Sequence, residues 1–131
     1  MNLAKNTLKK HERLRRKQLI DHVFLRGHKL FEYPILFRWS CVELPTNYPV
    51  QVLIGVSKKR FKKAAARNRI KRLVREAYRT NKHIIYPLLE KNNEQMALAI
   101  NFVGKKMPTY KETEQKIIIL LQRLARDYEE S

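Results

Sequence analysis

Cysteine occurs once in the 131 residues, glycine three times and proline five times. The single Cys41 excludes an internal disulfide and any multi-cysteine zinc site, and it fits a reducing, cytosolic setting. So little glycine and proline excludes a collagen-like or linker-dominated chain. No run approaches the roughly 20 apolar residues that span a bilayer, and no apolar stretch follows the basic N-terminus as a secretory signal would require. Acids are scarce, and none gather into the cluster that a two-metal nuclease needs. His11, His22, His28 and His83 are scattered, with His22 and His28 on different faces of a helix, so a metal site is not expected. No glycine-rich phosphate loop is present. Cys41, amid apolar residues, reads as a core thiol.

What the chain has in excess is positive charge. Lys and Arg number 29 against 12 acids, a formal net charge of +17, while the 44% hydrophobic share supports one packed core. The distribution is lopsided: residues 1–82 carry all of the net charge, and residues 83–131 hold seven bases and seven acids. Such asymmetry points to a polyanionic partner, nucleic acid before membrane, because a basic membrane-surface helix also needs bulky apolar residues beside its charge.

Along the chain, residues 1–13 read as a flexible basic arm and 14–131 as a single domain. A helix is expected from Leu14, with Leu19, Ile20, Val23 and Phe24 on one arc and Gly27 as its stop. Residues 35–42 and 50–57 read as strands joined by a short turn, and so as an antiparallel hairpin. A long helix spans about 63–82, residues 88–94 form a polar connection, and 95–103 read as a buried strand. Thr109 and Glu112 open a last helix whose Ile117, Leu120, Leu121, Leu124 and Tyr128 share a face. There is room for one further short strand. The expected fold is a sheet with helices packed on it, in one α/β (α+β) domain.

The informative stretch is 57–82, where Glu76 is the only acid among 12 bases. On a helical wheel Arg67, Lys71, Arg75, Arg79, Arg72 and Asn68 occupy an arc of about 140°, while Ile70, Leu73, Val74 and Ala77 lie opposite. A merely solvated face would mix signs at four-residue spacing; here cations repel cations and Glu76 falls off the arc. That is the pattern of a phosphate-binding face, with Asn68 able to donate and accept toward a base or a 2′-hydroxyl.

Ser57-Lys58-Lys59, then seven residues, then Arg67-Asn68-Arg69-Ile70-Lys71-Arg72 and Arg75-Glu76, resembles the signature of the bacterial ribonuclease P protein family. The resemblance implies a two-layer sandwich of about four mixed strands and three helices in αβββαβα-like order, with a left-handed βαβ crossover, as in a ribosomal protein domain. It implies an endonuclease that removes the 5′ leader from precursor tRNA, in which the RNA subunit performs hydrolysis with magnesium. The protein subunit would carry no catalytic residue and no cofactor of its own; that it holds no metal is expected from its scattered His and acid residues. Its partners would be the catalytic RNA and precursor tRNA, in the cytoplasm, with neither membrane nor DNA. By the same resemblance Lys58, Lys59, Arg67, Asn68, Arg69, Lys71, Arg72 and Arg75 face RNA; the basic run adds Lys62 and Lys63 to the RNA-binding set, and the helical arc adds Arg79. A cleft between the first helix and the sheet would take the single-stranded leader. Phe24 matches one cleft aromatic of the family; the other, one turn earlier, is Ile20 here, which removes a stacking platform. Phe37, Arg38 and Trp39 are further cleft candidates, and alternation sets Phe37 and Trp39 on one face and Arg38 on the other.

Two other readings share the charge. A ribosomal or general RNA-binding protein has no reason to carry the 57–76 motif. A helix-turn-helix DNA-binding domain needs a short helix before the basic one, where this chain has a strand.

Overall fold

The structure is a computed structural model that describes residues 8–131. Its elements are α1 (Lys17–Arg26), β1 (His28–Glu32), β2 (Ile35–Cys41), β3 (Val50–Val56), α2 (Ala64–Asn81), α3 (Tyr86–Lys91), β4 (Met96–Phe102) and α4 (Tyr110–Glu130). The four strands form one mixed sheet in the order β1-β2-β4-β3. The expected hairpin of β2 with β3 is not formed. Instead β4 lies between them, antiparallel to β2 and parallel to β3, and the antiparallel hairpin is β1 with β2. The physical reason lies in β4 itself: Met96, Ala97, Leu98, Ala99 and Ile100 are all buried, so both of its faces need cover, which only a central strand receives.

One face of the sheet carries the main core. Ile35, Phe37, Trp39, Val52, Leu98 and Ile100 pack there against Ile70, Val74, Ala77 and Tyr78 of α2 and Ile117, Leu121 and Leu124 of α4. Large apolar side chains withdrawn from water contribute about 1.5–3 kcal/mol each, which offsets the self-repulsion of the cationic half. The other face carries a smaller cluster of Leu14, Val23, Leu44, Ala97 and Ala99 under α1. The two alanines leave room for α1, which adds a partial third layer to the two expected. Helix α1 ends where expected, because Gly27 donates to Val23 O at 2.9 Å, and a Cβ there would sit 2.3 Å from that oxygen. Thr109 caps α4, its Oγ1 accepting from Glu112 N. Residues 88–94 are not wholly a connection, since Pro87 opens the short helix α3.

The arm expected over residues 1–13 is a packed segment from residue 8 onward; residues 1–7 lie outside the described residues. Lys10–Glu12 form a turn of 3₁₀ helix, Gln51 Nε2 donates to His11 O, and Leu14 N donates to Val52 O. Glu12 is fully buried, accepting from Lys82 Nζ (2.8 Å), the Tyr86 hydroxyl and Lys9 N. A carboxylate and an ammonium together in the interior need this many partners to offset desolvation.

Candidate nucleic-acid interface

The basic surface begins where β3 ends. Its loop is held from inside by Phe61, whose ring lies 6.0 Å from that of Phe102, and by Arg67, whose guanidinium donates to Phe61 O (2.7 Å) and Lys62 O (2.8 Å). Lys58, Lys59, Lys62 and Lys63 are thereby presented to solvent on a fixed loop. Along α2, Asn68, Arg69 and Arg72 are exposed, and Lys71 and Arg75 are half-buried. Arg67 belongs to the face, but two of its hydrogen bonds hold the loop. Arg79 also differs from expectation: Glu76, expected off the basic arc, binds it, which raises the Arg79 guanidinium and lowers the Glu76 carboxyl.

Sequence reasoning missed Arg13. Burial, and then the charges of Arg13 and Arg72, push the Arg75 guanidinium below its ordinary value. Arg13, paired with Val52 at the edge of the sheet, is held within electrostatic reach of Arg75 because buried Glu12 pins the segment beside it. A lone acid in a basic run was the available signal.

The second part of the site is the cleft beside α1. Phe24 is 38% exposed, and the Arg38 guanidinium lies 4.8 Å from its ring centroid, a cation–π arrangement. Arg38 Nη1 donates to Asn101 Oδ1 at 3.1 Å. Asn101 in turn sits against Gly55, where an added Cβ would come within 2.8 Å of its Nδ2. Ile20 packs on the small apolar cluster below. Phe37 and Trp39 do not line this cleft. They are buried on the opposite face, Phe37 in the main core and Trp39 stacked on His28 at 4.4 Å. Strand alternation separates them from Arg38 as read from the sequence; the covering helices decide which face is open. Asn101 and Gly55, unnoticed in the sequence, complete the floor.

Cys41, read as a core thiol, is exposed at the end of β2. Among the described residues no group of three or more His, Cys, Asp and Glu side chains is placed to hold a metal ion, and no helix is long and apolar enough to cross a membrane.

A cationic helix face adjoining a cleft of aromatic, guanidinium and amide groups is the arrangement that suits a nucleic-acid-binding protein. The family model for ribonuclease P matches residues 8–125. The ribonuclease P protein component of Porphyromonas gingivalis is 35% identical over 118 residues, covering 90% of this chain and 86% of that protein. That of Chlorobium phaeobacteroides is 37% identical over 129 residues, covering 91% and 88%. Among solved structures, the RNase P protein of Thermotoga maritima superposes with a TM-score of 0.67 at 25% identity over 86% of this chain and 96% of that one. The Staphylococcus aureus RNase P protein shares the fold, with a TM-score of 0.69 at 20% identity over 88% and 96%. The chain belongs to the ribonuclease P protein family, and as such a component it takes part in an endoribonuclease of tRNA processing.

Proposed function

We propose that this chain is the cytoplasmic protein subunit of a ribonucleoprotein ribonuclease P, holding the catalytic RNA on the α2 face and the 5′ leader of precursor tRNA in the α1 cleft. Phosphodiester hydrolysis is assigned to the RNA subunit with its magnesium; the protein positions the substrate. The observation that carries this reading is the junction of the two surfaces. Gly55, in the floor of the cleft, lies two residues before Ser57, where the basic loop begins. One strand thus ends in a groove suited to unpaired bases and continues into a loop suited to phosphates.

Reconstitution tests it. The purified chain is mixed with a bacterial ribonuclease P RNA and precursor tRNA at low magnesium, and leader release is followed. Release that requires both components is expected. A chain that binds RNA yet adds nothing to release would be a general RNA-binding protein, and the proposal would fail.

A further inference from the structure

We infer that the single-stranded leader, on the reading just given, continues past Phe24 across the first strand, onto Phe31 and Tyr33 and into the cavity beside them. Helix α1 covers only the part of its sheet face around Ala97 and Ala99. The next row toward the open end runs Phe31, Leu36, Asn101, Gly55 across the four strands. At the usual spacing between strands this row is roughly 14 Å long. It starts beside the Ser57–Lys59 loop and ends on Phe31.

Alternation fixes where Phe31 points: Leu30 enters the main core, so Phe31 stands on the cleft side, and Lys29 stands beside Arg38 in the adjoining row. Phe31 is 51% exposed and Tyr33 57%, and their rings meet edge-on at 6.3 Å. Neither ring belongs to either apolar cluster. Beyond Tyr33, round the end of the sheet toward the start of α4, a cavity of about 560 Å³ opens, lined by Pro34, Lys105, Lys106, Met107 and Lys116 and floored by Phe102 of the main core.

Neighbouring exposed aromatics mark a binding surface, and the charge around them says for what. Lys29, Arg38, Lys105 and Lys106 border the track. Of the acids nearby, Glu32 is held by Lys116 (3.6 Å) and Arg123 (3.5 Å), and Glu112 lies at the cavity wall. Rings interleaved with ammonium and guanidinium groups suit unpaired bases joined by phosphates. Continuity with the leader cleft makes that strand the leader rather than a second nucleic acid.

The test uses the chain reconstituted with a bacterial ribonuclease P RNA and two precursor tRNAs. One has a leader that ends within the cleft; the other has a leader long enough to pass Phe31. Phe31→Ala and Tyr33→Ala should each weaken the long-leader substrate about 5- to 10-fold, as expected for loss of a stacked base, and leave the short one unchanged. Phe31→Leu, which keeps the apolar bulk, should lose nearly as much. Phe24→Ala should weaken both substrates. If Phe24→Ala weakens both while the Phe31 and Tyr33 variants change neither, the extension is wrong and the cleft stands. If Phe24→Ala also changes neither, the leader reading falls with it. Altered self-association in sedimentation, with leader affinity intact, would make the patch an interface between copies and overturn the inference.

Discussion

Glu12→Ala is the most demanding perturbation of this fold. The carboxylate is fully buried and faces Lys82, itself 4% exposed, at 2.8 Å, while also accepting from Tyr86 and Lys9 N. Removing it strips a buried ammonium of its counter-charge, which typically costs about 3–5 kcal/mol. Domains of this size have about 5–15 kcal/mol in total, so a large share of the stability goes. For a chain of this length that corresponds to a fall in Tm of roughly 10–20 °C. The assay is thermal and urea denaturation followed by circular dichroism. A second readout follows from Arg13: once the segment is released, Arg13 leaves the neighbourhood of Arg75, and the salt dependence of RNA affinity flattens. The double variant Glu12→Leu with Lys82→Met should regain most of the stability but need not restore the placement of Arg13. A loss below about 1 kcal/mol for Glu12→Ala would refute the buried ion pair as an anchor.

Four further outcomes are expected. Arg72→Ala should flatten log K against log salt by about 0.7–0.9 for each phosphate that the guanidinium neutralises; Arg67→Ala should do the same and also speed hydrogen exchange in residues 57–63, and unchanged slopes in both would remove the phosphate reading of this face. Gly55→Ala should push Asn101 aside and unseat Arg38, at a stability cost of about 1–3 kcal/mol, weakening leader binding more than binding of the catalytic RNA; equal effects on the two would contradict the division of surfaces. Ile20→Phe should tighten precursor over mature tRNA by up to about tenfold; an unchanged ratio would mean the ring has joined the apolar cluster. Burial raises the phenols of Tyr86 and Tyr78 above their ordinary value, so the folded state holds these protons where the unfolded state releases them. Their contribution is complete below about pH 10 and is lost as pH rises beyond it; Tyr86→Phe should flatten the alkaline fall in urea midpoint, and an identical fall would show that other groups cause it.

Much of this was legible because it rests on periodicity. The two faces of α2, the end of α1 at Gly27 and the three long strands all follow from local spacing and capping. The order of strands is not local. A short connection between β2 and β3 argues for a hairpin, and only the unbroken burial of Met96–Ile100 argues that another strand must part them. In the site, alternation distinguished Arg38 from Phe37 and Trp39, but which set is open depends on where α1, α2 and α4 dock. Arg13, Asn101 and Gly55 gain their roles from partners far along the chain.

The central place of β4 also sets an order in time. Strand β2 pairs with it from Ile35↔Phe102 to Cys41↔Met96, and β3 from Val50↔Met96 to Val56↔Phe102. Both wait for residues made long after them, so the sheet closes late and through distant pairings, the slow kind. The residues of α2 are synthesised before that closure, and until β4 is in place the helix's apolar stripe lacks part of the sheet it packs on. During that interval it is a generic polycation, able to adhere to any nucleic acid nearby. With Met96–Phe102 between β2 and β3, the charge of that helix is set into a surface of one shape.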